Sequence, residues 1–458
     1  MARKQNRRKG MCFEQRPILE ANAAGVDIGA REIYVAVPPD RDATPVRKFD
    51  TFTEDLNQLV DWLRQCGVTT VAMESTGVYW IPLFEILERR GLKPCLVDAR
   101  HMKNAPGRRT DWQECQWIQY LHSVGLLRSA FRPVDEVTAV RALTRHRKDL
   151  TEMASQHVQH MQKALTQMNV QIHHVIDDIT GATGTAIVDA ILDGQRDSSQ
   201  LAKLRDPRIK ASLETIRKSL VGNWRDEHLF TLRQSRSLYT AYQQQIDACD
   251  REIERLLQQT LPRVDPDQKP LPPDKKGKAH EKKVHPDSTF NMRTEAYKLF
   301  GVDLTQVPGL ARNVLGLYSE IGRDMSRWPT ASHFVSWLTL CPDNDISGGR
   351  VLWRGTRNQK NAAGQLFRMA AYGLHRSQSL LGAFLRRTKA KLGPAAALTA
   401  TARKVAVIVY TMIKNQVEYD ESKWARLDTQ RQQRIEKKLR KQAKMMGFSL
   451  VPLENAAT

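Results

Sequence analysis

The chain has 458 residues, 41% hydrophobic and 26% charged, which fits two or three domains and an ordinary globular composition. Its 71 Lys and Arg against 50 Asp and Glu leave a net charge of +21. That excess points to a polyanion, and nucleic acid is favoured over a membrane surface because the charge is spread along the chain. No apolar run approaches the roughly 20 residues of a membrane span. The basic start, residues 1–9, leads into no apolar segment and does not read as a secretory signal. The six cysteines contain no Cys-x-x-Cys pair, which argues against a zinc module or a disulfide framework and for a reducing, cytoplasmic setting.

Taken in order, Gly25-Val26-Asp27-Ile28-Gly29-Ala30 running into Arg31-Glu32-Ile33-Tyr34-Val35-Ala36-Val37 reads as a strand, a Gly-bearing bend and a second strand. Residues 46–49 suit a third strand. Thr53 is a candidate N-cap, with Glu54 and Asp55 in the first turn. Leu56, Leu59, Val60 and Leu63 then recur at helical spacing up to Gly67. Residues 69–73 read as a strand ending in Glu74, 75–77 as a turn, 80–90 as a helix closed by Gly91, and 94–97 as another strand. A basic loop, 100–109, precedes a helix opened by Thr110 or Asp111. Three leading strands, then strand, helix, strand and helix, predict a mixed α/β sheet over 20–130.

Asp27 is an acid inside an apolar run, and an unpaired buried charge is costly. It is either a structural Asp at a turn or a metal ligand. Glu74 ends a later strand, and Asp111 and Glu114 lie three apart, hence on one helix face. Four carboxylates gathered together repel unless cations neutralise them. Oxygen-only ligands select hard ions such as Mg²⁺ or Mn²⁺, and two such ions about 4 Å apart clamp a phosphodiester. Lys103, Arg108 and Arg109 stand beside this set in sequence to meet phosphates.

Residues 134–180 carry one long helical pattern, with Val140, Leu143, Leu150, Ala154, Met161, Leu165, Met168, Ile172 and Val175 at three–four spacing. Arg147 and His157 interrupt the seam. Gly181, Gly184 and Gly194 break the pattern. A second helical arm carries Leu229, Leu232, Tyr239, Tyr242, Ile246, Ile253 and Leu256. The middle region, 134–261, is therefore expected to be coiled-coil arms, packed on each other or on another protomer's. Residues 262–290, rich in Pro, Lys and Asp, read as a flexible linker.

Residues 296–420 form a second globular, mainly α unit. Val307-Pro308-Gly309-Leu310-Ala311-Arg312 resembles a helix-hairpin-helix turn, whose backbone N–H groups hold a phosphate. Ile346-Ser347-Gly348-Gly349-Arg350 puts a serine on an exposed loop, with Arg350, Arg354, Arg357 and Lys360 following. This suits either a nucleophile for a phosphodiester or simple phosphate binding. Segments 366–374 and 396–413 read as apolar helices. The tail, 421–458, contains a basic helix over 423–444 suited to nucleic acid or solvent.

The combination resembles the DEDD-type insertion-sequence transposases, the insertion-sequence one-ten family and its one-one-one-one subgroup. The stretches that carry the resemblance are Gly25 to Gly29, Met73-Glu74-Ser75-Thr76-Gly77-Val78-Tyr79-Trp80, and Arg100-His101 through Pro106-Gly107-Arg108-Arg109-Thr110-Asp111. Further on they are Thr180-Gly181-Ala182-Thr183-Gly184, Phe334 through Leu340-Cys341-Pro342, Ile346 to Gly349, and Thr399-Ala400-Thr401-Ala402-Arg403-Lys404. The resemblance spans roughly residues 20–420 and implies an RNase H-like, RuvC-like N-terminal domain, a coiled-coil middle and a C-terminal transposase domain. It implies Asp27, Glu74 and Asp111 as metal ligands and Ser347 as nucleophile. The family's fourth acid is usually Asp, and Glu114 stands there with one more methylene. It also implies RNA guidance, a bridge-type non-coding RNA pairing with donor and target DNA.

The expectation is a Mg²⁺- or Mn²⁺-dependent transposase and recombinase of an insertion sequence. Its partners would be donor and target DNA, a bridge RNA and other copies of itself in a dimer or tetramer, in the bacterial cytoplasm on the nucleoid and away from membranes. A RuvC-like, structure-selective endonuclease of the Holliday-junction type, using the acids and water alone, is the alternative enzyme. A non-catalytic nucleic-acid-binding protein is the other class.

Overall fold

Alternating apolar residues over 23–36 build an antiparallel hairpin, β1 (Ala23–Ile28) and β2 (Glu32–Ala36). It lies in a computed structural model that describes residues 16–75, 77–97, 110–127, 129–133, 135–273, 291–353, 355–356 and 361–449. The chain divides after Arg132 into two units.

In the first unit, β3 (Val46–Asp50) extends the antiparallel meander, while β4 (Thr70–Glu74) and β5 (Lys93–Val97) add in parallel. The strand order is β3-β2-β1-β4-β5, the mixed sheet that the sequence predicts. Helices α1 (Thr53–Gln65) and α2 (Trp80–Arg89) make the connections. Thr53 is not the cap of α1. Phe52 occupies that position with no side-chain hydrogen bond, and Thr53 is the first helical residue. The sheet face bearing Val26, Ile28, Val71 and Met73 is sealed by Leu59 and Leu63 of α1 and Leu83 and Leu87 of α2. Each such side chain, fully buried, contributes roughly 1.5–3 kcal/mol. Helix α3 (Asp111–Ser123) covers the opposite face, with Cys115 against Ala36 and Val46, and Ile118 against Ala72 and Val97. Thr110 caps it, its hydroxyl accepting from the Gln113 N–H.

In the second unit two long helices, α4 (Asp135–Gln167) and α8 (Asp226–Gln259), run antiparallel. Arg147 meets Asp250 and His157 stacks on Tyr242, so one number rises as the other falls. The arms thus pack on each other within one chain. At about 1.5 Å per residue each is roughly 50 Å long. The first arm is shorter than its pattern predicts. It ends at Gln167, Asn169 takes φ 57°, and Ile172–His174 form a separate 3₁₀ turn. The apolar period continues to 175 because these residues enter a different core.

That core closes the far end of the arms. Met161, Leu165, Met168 and Ile172 pack with α5 (Ala182–Leu192), α6 (Ser198–Lys203) and α7 (Leu213–Ser219) through Ile187, Ile191, Leu201, Ile216 and Leu220. Gly184 does not break a helix, since it lies inside α5. A Cβ there would stand 2.2 Å from the Ile179 carbonyl oxygen, so the glycine permits a close approach.

The two arms are joined by a buried charge pair. Asp250, with a side chain 4% exposed, receives Arg147 Nη2 at 2.9 Å. Asp250→Ala is expected to destabilise the protein by about 2 kcal/mol, below the roughly 3–5 kcal/mol of a fully buried pair because Arg147 retains access to water. A lower urea midpoint at unchanged slope is the check.

Nearer the C-terminus, α9 (Met292–Phe300) and α10 (Val314–Ile321) precede α11 (Ala331–Trp337). A hairpin of β6 (Asp345–Ser347) and β7 (Arg350–Trp353) follows, then α12 (Ala362–Tyr372), α13 (Leu380–Leu392), α14 (Pro394–Asn415) and α15 (Ser422–Met445). Arg141 of the first arm donates to the Ser319 and Glu320 carbonyl oxygens at 3.1 and 2.7 Å, and Arg145 grips the Glu320 carboxylate. Burial lowers the Arg141 pKa to about 10, against the pull of Glu320.

Helix α14 is long and apolar enough to cross a membrane by length and composition, contrary to the reading that no run comes close. Its Val405, Val409 and Ile413 are buried, and Tyr410 packs on Phe334 and donates to the Trp328 carbonyl oxygen at 2.6 Å.

Two further expectations meet different local structure. The first part of the proposed linker is packed. Arg263 N–H bonds the Lys298 carbonyl, Lys269 bonds the Gly301 carbonyl and Pro272 accepts from Arg293; residues 274–290 lie outside the described residues. The turn at 307–310 is flanked by single 3₁₀ turns, 304–306 and 311–313, rather than by regular helices. Gly309, at φ 84°, backs onto α12, where a Cβ would meet the Ala370 carbonyl oxygen at 2.4 Å.

Candidate active site

Parallel pairing of β1 and β4 sets Val26 beside Met73. The next residue on each strand is an acid, Asp27 on β1 and Glu74 on β4, and side chains in step on neighbouring parallel strands share a face. That face is the one α3 covers. The first turn of α3 supplies Asp111 and Glu114, three residues apart on one side of the helix.

Helix α3 reaches this position because β1 has a glycine beneath it. A Cβ on Gly25 would stand 2.1 Å from the Gln119 backbone nitrogen and 2.4 Å from the Cys115 carbonyl oxygen. Gln119 then donates to the Ala23 carbonyl oxygen at 3.2 Å. The helix lies on the strand with no side chain between them, which brings its first turn to Asp27.

The electrostatics report the convergence. Burial, then the charges of Glu114, Asp111 and Glu74, push the Asp27 carboxyl from 3.8 up to about 6. Cys115, one turn along α3 from Asp111, is buried, and burial followed by the Asp27 charge drives its thiol up to about 12. The site is therefore anionic, with Asp27, Glu74 and Glu114 half-buried and Asp111 exposed. Its donors are all oxygen, which suits a hard divalent cation, and the mutual repulsion is what such an ion relieves. Among the described residues, no three His, Cys, Asp or Glu side chains are gathered into a finished cation cage. The acids are neighbours that share a face and a field, as repelling carboxylates are.

Other features of this wall escaped sequence reasoning. Tyr34 stands directly across the hairpin from Asp27 and meets Trp112 of α3 edge to face at 6.4 Å. Counting back through the bend would have paired Asp27 with Tyr34. Nothing local marked Gly25 as the seat of a helix 90 residues on.

Ser347 lies in the second unit, on the β6–β7 hairpin. Gly348 and Gly349 form its two-residue turn, at φ 55° and 77°, the left-handed pair that a tight hairpin of right-handed twist needs. Ser347 and Arg350 are direct cross-strand partners, and both are exposed. Lys103, Arg108, Arg109, Arg354, Arg357 and Lys360 lie outside the described residues.

Comparison with known families follows this division. Residues 24–170 match the DEDD transposase family of IS110, described as transposase. Residues 303–385 match the family described as Transposase IS116/IS110/IS902. The first stretch spans the sheet, the four acids and the first arm; the second spans the Ser347 hairpin and the helices before and after it. Together they cover half of the chain, in the order the resemblance predicts. No curated protein matches the chain. The first family carries a RuvC-like fold, with which the mixed sheet of the N-terminal unit agrees. The chain belongs to the IS110 family of transposases, enzymes that cut DNA and transfer its strands.

Proposed function

We propose that Asp27, Glu74, Asp111 and Glu114 hold Mg²⁺, or Mn²⁺ in its place, and that Ser347 is the nucleophile. In this reading a bridge-type RNA pairs with donor and target DNA, the working form is a dimer or tetramer, and the protein acts in the cytoplasm on nucleoid DNA. The observation that carries the acid site is the Asp27 carboxyl, raised to about 6 by burial and by three other acids. The net charge of +21 supports nucleic-acid partners.

When bound, the cation supplies Lewis-acid polarisation of the scissile phosphate. The rest falls to the chain. Ser347 Oγ attacks phosphorus, its proton passes to water, and the bond from phosphorus to one deoxyribose oxygen breaks, leaving a serine phosphodiester and a free hydroxyl. A second strand end then attacks that link and releases Ser347. Arg350, across the ladder from Ser347, meets the phosphate charge. Lys103, Arg108, Arg109, Arg354, Arg357 and Lys360 add sequence-independent phosphate contacts.

Ser347→Ala is expected to abolish the covalent protein–DNA adduct that denaturing gels detect, and to reduce recombination at least about 10³-fold. Recombination at the wild-type level in this variant would remove Ser347 from the chemistry. Cleavage that persists without adduct and without RNA would instead mark a junction nuclease.

A further inference from the structure

The hairpin that carries Ser347 has features that attack on a phosphate does not use. Ile346 is 62% exposed, Val351 39%, Leu352 71% and Trp353 47%. A two-stranded hairpin is marginal by itself in water, yet every residue from 346 to 353 is exposed. The tip is open too, since among the described residues nothing lies within 4 Å of where a Cβ on Gly348 or Gly349 would stand. So much apolar surface on so slight an element marks a contact with something else.

Two details say what. First, the Trp353 ring is seated. A Cβ on Gly355 would come within 2.2, 2.3 and 2.9 Å of Cη2, Cζ2 and Cζ3 of the indole, so the ring lies over a bare glycine backbone while about half of the residue stays in solvent. Second, Asp345 pairs with Trp353 and Ile346 with Val351, which makes Leu352 the extra residue of a β-bulge. Bulges re-aim side chains, and Leu352 is the most exposed of the four. The same strand carries Arg350, the cross-strand partner of Ser347, in a chain of net charge +21 from a family that acts on DNA. Charge selects a polyanion, and a flat, half-exposed ring seated on glycine suits a nucleobase, whose π-face stacks whatever its identity.

We propose that Trp353 is a stacking platform, and Leu352 an apolar wedge, for an unstacked DNA base next to the phosphate presented to Ser347. Strand exchange requires bases to leave one partner before they join another. A platform on the nucleophile's own hairpin holds the flanking base out of the stack and fixes the phosphate beside it. Apolar wedges that part base steps are an established device of DNA-binding proteins. The proposal rests on the serine reading only for which phosphate lies alongside.

The test is binding of the full chain to a fluorescein-labelled oligothymidine strand about 20 nucleotides long, and to a duplex of the same length, followed by anisotropy at fixed salt. Trp353→Ala is expected to weaken single-strand binding about tenfold and to change duplex binding less than about twofold. Gly355→Ala removes no apolar surface but pushes the indole from its seat, and should give the same selective loss. Trp353→Tyr should keep most of the binding. Unchanged single-strand affinity in both alanine variants overturns the proposal, as does an equal loss on duplex, which phosphate contacts alone produce. A changed sedimentation coefficient of the nucleic-acid-free protein in Trp353→Ala also overturns it, because the hairpin then docks on a second copy. Selective loss here together with full recombination by Ser347→Ala would retire the nucleophile and keep the platform; the opposite pair of results would do the reverse.

Discussion

Asp27→Asn is expected to lower strand cleavage by about 10³-fold, the several kcal/mol that cation stabilisation of a phosphoryl transition state supplies, while making the metal-free protein more stable. The two effects share one cause. Burial and three neighbouring acids raise the Asp27 pKa from 3.8 to about 6, so its charged form is disfavoured on folding. A carboxyl whose folded pKa lies above its unfolded value binds protons more readily in the native state. The contribution of Asp27 to stability is then most favourable below about pH 4, falls as pH rises to about 6, and is flat above. Asparagine has no charge to repel. In EDTA the variant should exceed the wild type by about 1–2 kcal/mol at pH 7.5, a figure discounted for solvent screening, and the gap should close near pH 4. Urea melts at the two pH values measure it. Added Mg²⁺ should stabilise the wild type and leave the variant nearly unmoved. Wild-type cleavage by Asp27→Asn would dismiss the acid from the site, and equal stability at pH 7.5 would dismiss the crowding of charge.

Gly25→Ala is expected to be the most damaging single methyl in the N-terminal unit. The added carbon meets backbone atoms, the Gln119 nitrogen at 2.1 Å and the Cys115 carbonyl oxygen at 2.4 Å, and neither can rotate away. Helix α3 must lift from β1, breaking the contact between Gln119 and Ala23 and opening the small core around Cys115 and Ile118. A loss of at least about 3 kcal/mol follows, at the upper end of overpacking costs. It should appear as a fall of about 10 °C in the melting temperature of that unit. Because α3 carries Asp111 and Glu114, the protein that remains folded should also lose cation-induced stabilisation. A melting temperature within 1–2 °C of wild type, a shift of about half a kcal/mol, would mean that helix and strand do not touch as described.

Much of this molecule is legible locally. The hairpin at 23–36, the strands that carry Asp27 and Glu74, and the arms all follow from periods of two and three to four, which any stretch carries within itself. Where those periods stop is less legible. The apolar spacing of the first arm runs on past Gln167 because the next residues are buried as well, in the core that closes the arms. Gly184 looks like a breaker and sits in a helix, because a close approach to Ile179 and not a turn required it. The Pro-rich stretch after 261 reads as a linker, yet backbone and side-chain hydrogen bonds hold its first part to α9 and the residue after it.

Sequence by itself determined the classes of partner and chemistry. Net charge is a sum over residues, and the stretches that resemble the transposases, with Asp27, Glu74, Asp111 and Ser347 among them, are read without coordinates. Only the tertiary structure decided that the acids share a face, because that depends on strand register and on a glycine under a helix. It also decided that the arms pair within one chain and that Trp353 rests on Gly355. These are complementarities between surfaces distant in sequence, and no local period encodes them.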